Sequence, residues 1–80
     1  QCENHLLDSV IDRFGTKNAS YSKVDDEHFS ISVEVELSNQ FYSWLLQFGE
    51  KAKIMHPKEV ADGMRKFLEK IITMYLPRNQ

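Results

Sequence analysis

The sequence predicts an α+β domain in which helices cover one face of an antiparallel sheet. Residues 28–37 alternate between apolar and polar side chains, a pattern typical of a strand with one buried face and one face in water. Residues 38–48 and 57–75 instead repeat their apolar side chains at helical spacing. Because both periods occur within 80 residues, we expect one small domain, spanning residues 1–80, with a single core.

A helix and a weak strand are predicted first. From about Asn4 to Phe14 the apolar residues recur at helical spacing, and Gly15 supplies a stop signal. Residues 19–24 indicate a weak strand. The acidic residues 25–27 form a polar turn that leads into the alternating strand.

The second predicted helix has both of its ends marked. Ser38 can cap the free amides of the first turn, and Gly49 can take the left-handed conformation that ends a helix. Between them one apolar stripe consists of Phe41, Trp44, Leu45 and Phe48. We expect a short strand around residues 51–55 to follow.

The last predicted helix runs from about Pro57 to Tyr75. Pro57 suits the first helical position, His56 would take the capping position before it, and Pro77 stops the helix. Gly63 is the one glycine inside an element rather than at an end. The apolar stripe of this helix consists of Val60, Met64, Phe67, Leu68, Ile71 and Tyr75.

The order helix, strand, strand, helix, strand, helix fits a ferredoxin-like α/β sandwich with its first strand truncated and a final helix added. In that architecture the first strand is central, between the third and fourth strands. Gln1 and Cys2 would be only its last residues. Since a missing central strand leaves main-chain groups unpaired, we expect one of two closures. Either the third and fourth strands pair directly, or a second copy supplies the contact.

Several motifs, in a fixed order, resemble those of one known family. They are Val10-Ile11-Asp12-Arg13-Phe14-Gly15, His28-Phe29-Ser30 and Ser38-x-x-Phe41-x-x-Trp44-Leu45, with Tyr75 at the end. Together they resemble the C-terminal extension (WCX) domain that follows the WYL domain in many bacterial transcriptional regulators. The Trp-Tyr-Leu motif that names the WYL family belongs to the preceding domain and is absent from this sequence, as is a helix-turn-helix domain.

The resemblance implies a regulatory or oligomerisation module from the C-terminus of a WYL-type regulator. Such a module would hold two subunits together, or transmit ligand occupancy from the WYL domain toward the DNA-binding end. Its expected partners are the preceding WYL domain and a second copy, as a homodimer, while DNA is contacted by the missing N-terminal domain of the parent. We therefore expect a fragment of a longer regulator. The alternative is a domain of the same regulator that senses a small molecule or nucleic acid.

The composition of the chain and the absence of several known motifs argue against some classes of function. A net charge of −2 argues against general binding of polyphosphate by this chain, and no apolar run approaches a membrane span. The single cysteine cannot form an internal disulfide, which fits a cytoplasmic protein. Phosphate-loop, dinucleotide-binding and nucleophile-elbow motifs are absent from the sequence. We therefore expect no enzyme activity and no cofactor.

Six residues are candidates for contact with a partner or effector: Arg13, Phe14, Trp44, Lys51, Lys53 and Arg65. The resemblance implies a shared role for Arg13 and Phe14 at the end of the first helix, either in packing or against the WYL domain. Trp44 could line a ligand pocket, although core packing of the helix is the simpler interpretation. The three remaining cations could contact an acidic group or a nucleic-acid backbone, although acidic neighbours would neutralise much of their charge.

Two further clusters are interpreted as surface features. The three histidines and Cys2 lack the short-range pairing of zinc ligands. Glu34 and Glu36 share one strand face, but no nucleophile accompanies them, so a solvated or partner-facing surface is expected rather than paired acid–base catalysis. We therefore expect no metal site and no catalytic residue.

Overall fold

A computed structural model describes residues 1–77 and has an α+β fold. Its strands are β1 (Cys2–Glu3), β2 (Ala19–Lys23) and β3 (His28–Val33), and its helices are α1 (Leu7–Phe14), α2 (Asn39–Leu46) and α3 (Lys58–Tyr75). Single 3-10 turns at Asn4–Leu6 and Gly49–Lys51 precede α1 and follow α2. The predicted α+β class is confirmed.

The sheet is antiparallel and has the strand order β1-β3-β2. Cys2 lies opposite Phe29 in β3, and Ala19 lies opposite Val33 at the other end of the same strand. β3 was predicted to continue to Leu37, but it ends at Val33. Its pairing with β2 stops there, so residues 34–37 have no neighbouring strand in the described part of the chain.

Of the two signals predicted to mark the ends of α2, Ser38 caps the helix, whereas Gly49 lies three residues beyond its last residue. The Ser38 hydroxyl accepts a hydrogen bond from the Phe41 amide at 3.2 Å. Gly49 has a φ of 58°, in the left-handed region that a residue with a side chain rarely adopts. The helix itself ends at Leu46, two residues before the predicted end, and the Phe48 amide donates to the Leu45 carbonyl at 3.2 Å, which is the spacing of a 3-10 turn.

Helix α3 begins one residue later than predicted. Pro57 is the capping residue, and its carbonyl accepts hydrogen bonds from the amides of Val60 and Ala61 at 3.1 and 3.3 Å. His56 therefore does not cap the helix, contrary to the prediction. The end at Tyr75 is confirmed, and Leu76 is extended, as the residue before a proline generally is.

The predicted short strand around residues 51–55 is reduced to a single bridge. Ala52 pairs antiparallel with Cys2, and the main chains of Gln1 and Lys53 exchange hydrogen bonds of 2.8 Å in both directions. Cys2 therefore lies between β3 and Ala52. The expected direct pairing of the third strand with the fourth is wrong, because the remnant of the first strand occupies that position over its two residues.

The core lies between the sheet and the first two helices. Its most buried members are Cys2, Leu6, Val10 and Phe29, which expose between 2% and 6% of their surface. Phe14 from α1 and Trp44 and Phe48 from α2 and the turn after it pack against this cluster. Helices α1 and α2 thus share one core with the sheet.

Helix α3 packs mainly on α2, through one tyrosine. Tyr42 is buried, its ring stacks on Phe67 with centroids 5.8 Å apart, and its hydroxyl donates to the Val60 carbonyl at 3.2 Å. A Cβ at Gly63 would overlap the Tyr42 hydroxyl. Gly63, the glycine inside the helix, is therefore required by the close approach of α2 rather than by a turn.

Candidate partner-binding site

Three of the six candidate residues meet where α1 ends above α2. We call Arg13, Phe14, Trp44 and Phe48 the Arg13–Trp44 cluster. Phe14 and Phe48 each present an edge-to-face contact to Trp44, with ring centroids 5.3 and 5.1 Å away. The Arg13 guanidinium carbon lies 5.4 Å from the centroid of the Trp44 ring, within cation–π range.

The Arg13–Trp44 cluster is partly accessible. Arg13 is exposed, whereas Phe14, Trp44 and Phe48 are half-buried. The Trp44 ring therefore packs against the core, and part of it remains on the surface. Arginine and tryptophan are enriched among residues that contribute most to protein interfaces, which makes this cluster a candidate contact point.

A polar cleft of about 300 Å³ adjoins the cluster. Arg13 and Phe14 form one wall, and Glu34 and Glu36, from the segment after β3, line it as well. Both glutamates are exposed, as expected from the alternating pattern. The cleft combines one cation with two carboxylates, so it suits a partner with charges of both signs rather than a polyanion.

The other three candidate residues are not part of this cluster. Lys51 closes the 3-10 turn after α2, and Lys53 uses its main chain to bind Gln1 while its side chain is exposed. Arg65 lies on α3, where it forms a 2.8 Å ion pair with Glu69 one turn later. The charge of Arg65 is therefore paired within its own helix, while Lys51 and Lys53 lie in the segment after α2.

Several large apolar side chains in the C-terminal half of α3 are exposed to solvent. The apolar stripe continues through positions 68, 71, 72 and 75, which share one helix face. Leu68 and Ile71 are half-buried, but Ile72 exposes 54% and Tyr75 80% of its surface. Tyr75 was predicted as a member of the packed stripe, and the structure leaves it in solvent because α3 extends past the body on which it packs.

Sequence reasoning missed Cys2 as a structural residue. Cys2 exposes 5% of its surface and belongs to the core cluster, and burial raises the pKa of its thiol, with the nearby N-terminal charge acting in the opposite direction. The available signal was the apolar character of a residue assigned to a central strand. Gly63 offered a second signal, because a glycine inside a helix indicates close packing.

His5 and His56 are exposed, and His28 is half-buried. His5 contacts Glu3 at 3.0 Å, and His28 contacts Asp25 at 2.9 Å. Hydrogen bonds from the Glu27 amide and from His28 lower the pKa of the Asp25 carboxyl group below its usual value. No group of three potential metal ligands occurs among residues 1–77, and no helix in that range is long and apolar enough to cross a membrane.

Comparison with known proteins gives one family. Searches of curated proteins and of solved structures each returned no significant match. The model of the WCX domain family matches residues 6–72, which include α1, both long strands, α2 and most of α3. This match covers more than half of the chain and includes the Arg13–Trp44 cluster. The chain belongs to the WCX domain family.

Proposed function

We propose that this domain is a non-catalytic regulatory and assembly module of a WYL-type transcriptional regulator in the bacterial cytoplasm. Two surfaces serve two partners in this proposal. The exposed end of α3 joins a second copy of the chain, and the Arg13–Trp44 cluster contacts the preceding WYL domain. DNA is bound by another domain of the parent protein. The WCX family membership supports the regulatory context.

The exposed end of α3 is the observation that carries the assembly role. A helix of 18 residues has no buried residue along its length, although its apolar stripe extends into its last turn. Isolated helices shorter than about 12–15 residues are marginal in water, so the turns that extend past α2 need a packing partner to stay ordered. A second copy of α3 offers the same apolar face.

The overall dimensions agree with a projecting helix. The Cα radius of gyration is 14.4 Å, and the longest principal extent is 52 Å against 26 and 22 Å for the others. A compact domain of this length has a radius of gyration of about 12 Å. The excess indicates an elongated molecule whose apolar helix end is accessible to another subunit.

The Arg13–Trp44 cluster supports the second contact. Its arginine and aromatic residues combine an accessible cation with a rigid ring already held by the core. A partner that covers Trp44 gains apolar area without ordering a mobile side chain, which lowers the entropy cost of binding. The mixed charges of the adjoining cleft would determine the orientation of that partner.

The assembly role is tested by sedimentation equilibrium of the 9.4 kDa chain over a wide concentration range. We expect a reversible monomer–dimer equilibrium. Ile72→Glu places a charge within the shared apolar face and should raise the dimer dissociation constant by at least about tenfold. Thr73→Glu adds the same charge one residue further on, on a different face of α3, and should leave the dissociation constant within about twofold.

A strict monomer at every concentration would contradict the assembly role. Equal effects of Ile72→Glu and Thr73→Glu would contradict the choice of interface, because they would show that added charge alone weakens the dimer. Circular dichroism of both variants establishes that the helical content is retained.

A further inference from the structure

An open slot interrupts the sheet beside β1. Its volume is about 500 Å³, and it separates β3 from the segment 52–57. Ile31 and Val33 line it from the covered face of β3, while Ser30 and Ser32 line it from the opposite face. A pocket between a helix layer and a sheet contacts one sheet face only. This slot reaches both faces, as a gap left by one strand would.

The main chain of β3 presents hydrogen-bonding groups to this slot. The His28 carbonyl accepts from Val24 in the direction of β2, and the Glu27 carbonyl accepts from Asn4 in the direction of β1. Successive residues of an antiparallel strand direct these groups to opposite sides. The main-chain amides and carbonyls of Phe29, Ile31 and Val33 therefore point toward β1. Strand β1 pairs only as far as Phe29, so those of Ile31 and Val33 point into the slot.

The opposite wall repeats this pattern. The hydrogen bonds between Gln1 and Lys53 show that the main chain of Lys53 faces β1. By the same alternation, the next residue that faces the slot is Met55, which also lines it. Above the slot lies the apolar stripe of α2, including Phe41 and Leu45, which the existing core leaves half-buried.

We propose that this slot receives an extended polypeptide strand that leads directly into Gln1. Gln1 lines the slot, and its main chain already continues the direction of β1 between both walls. A segment preceding Gln1 in a longer protein therefore enters the slot without a turn. It runs antiparallel both to β3 and to residues 52–56.

The register assigns a face to each added residue. Cys2 points into the core opposite Phe29, so the residue directly before Gln1 also points into the core and pairs with Ile31. The second residue before Gln1 points to the open face and pairs with Met55. The third points into the core and pairs with Val33. We therefore infer an alternating strand whose odd positions, counted back from Gln1, are apolar.

An extended strand fits the slot better than a small molecule. Ligand pockets of this size usually contain a few converging polar side chains. The polar side chains along this slot are mainly serines on the open face of β2 and β3, and its two walls are the unpaired main-chain edges of β3 and of residues 53–55. A small apolar ligand would fill the volume but leave those amides and carbonyls without partners. A strand satisfies both edges and covers the apolar stripe of α2 at the same time.

The strand would also change how the domain is connected. With it in place, β1 becomes a full central strand between β3 and the segment around Ala52, which is the strand order of a ferredoxin-like unit. Any domain that precedes it is then attached through the core rather than through a surface linker. This inference does not depend on the proposed regulatory function.

The test is a pair of four-residue extensions placed before Gln1. The sequence Thr-Val-Thr-Val puts both valines into the core by the register above, and Val-Thr-Val-Thr, of identical composition, puts them on the open face. We expect Thr-Val-Thr-Val to raise the melting temperature by about 10 °C and the permuted extension by less than half as much.

Amide hydrogen exchange provides a second readout. Thr-Val-Thr-Val should slow exchange at the amides of Ile31 and Val33 by at least about tenfold, while the amides of Ser30 and Ser32, which face β2, should change little. Equal melting temperatures for the two extensions, or unchanged exchange at Ile31 and Val33, would overturn the proposal. A concentration-dependent dimer formed only by the extended chain would also overturn it, since the strand would then come from another copy.

Discussion

The two sides of this domain are stabilised very differently. On one side α1, the sheet and Cys2 enclose a cluster in which four residues expose 6% or less of their surface. On the other side α3 has no buried residue and is attached to α2 mainly through Tyr42. On the first side the chain itself buries these four residues, although the slot beside β1 leaves one main-chain edge of Ile31 and Val33 without a strand partner. The second side presents apolar surface that another molecule can cover.

This difference separates structural from functional apolar residues. Val10 and Ile72 are both aliphatic residues in amphipathic helices, yet Val10 exposes 2% of its surface and Ile72 54%. The helical period identifies the apolar face of each helix but not what covers it. Coverage depends on where neighbouring elements end, and α3 continues beyond them.

The largest effect is expected inside the closed side. Leu6→Ala removes a side chain that is 6% exposed and should lower the free energy of unfolding by about 3 kcal/mol. Leu7→Ala, at a neighbouring position that is 37% exposed, should cost about 1 kcal/mol or less. Chemical denaturation monitored by circular dichroism measures both. Equal losses would show that the closed core is not where the stability resides.

The contact between α2 and α3 should be sensitive to a single methyl group. Gly63→Ala favours the helix intrinsically by about 1 kcal/mol but forces the Cβ against Tyr42. We expect a net loss of about 1–2 kcal/mol, because the tyrosine ring is held by Phe67 and Val60.

A double-mutant cycle assigns that loss to the tyrosine. Tyr42→Phe deletes the hydroxyl that the new Cβ would overlap, although the ring carbon would still lie 3.1 Å from it. In the Tyr42→Phe background, Gly63→Ala should therefore cost at least about 1 kcal/mol less than in the wild type. Full additivity of the two substitutions would contradict the close approach of α2 and α3 at this point.

The Arg13–Trp44 cluster should contribute little to stability on its own. Arg13→Gln removes the cation above Trp44 and should cost about 0.5–1 kcal/mol, as expected for an exposed cation–π contact. Trp44 is the only tryptophan, so the same substitution should shift the fluorescence emission of the folded protein. Lys17→Gln, which removes an exposed charge elsewhere, should leave the emission unchanged.

The smallest effect is expected in the turn before β3. The lowered pKa of Asp25 in the folded protein means that its carboxylate stabilises the fold above its usual pKa of 3.8. This contribution is lost as the pH falls through the lower folded pKa. Asp25→Asn should therefore lower the melting temperature at pH 7 but not at strongly acidic pH. A constant Asp25→Asn effect across this range would contradict the assigned cause.

Features with a local signal could be predicted from the sequence. The cap at Ser38, the left-handed Gly49 and the end of α3 before Pro77 depend on neighbouring residues, and the structure confirms them. The end of β3 could not be predicted, because residues 34–37 retain the alternating pattern but have no strand beside them in the described chain. A strand ends where its partner ends, and the residues of the strand do not encode that.

The candidate site could be predicted only in part, because some of its residues come together through contacts between separate elements. Arg13, Phe14 and Trp44 lie together because α1 ends above α2, whereas Arg65 pairs with Glu69 within its own helix. The packing of Tyr42 on α3 and the slot beside β1 both depend on contacts between segments that are distant in the sequence. Sequence spacing carries only indirect signals of such contacts, such as the glycine at position 63.

Hydrogen exchange measured at several protein concentrations tests the comparison of the two sides most directly. In β3 and α1, amide protection should be independent of concentration, because the chain itself covers their buried residues Phe29 and Val10. From Glu69 to Tyr75, protection should rise by about tenfold or more as the dimer forms. Concentration-independent protection in both regions, with a monomeric mass throughout, would contradict the account that the exposed end of α3 is an assembly surface.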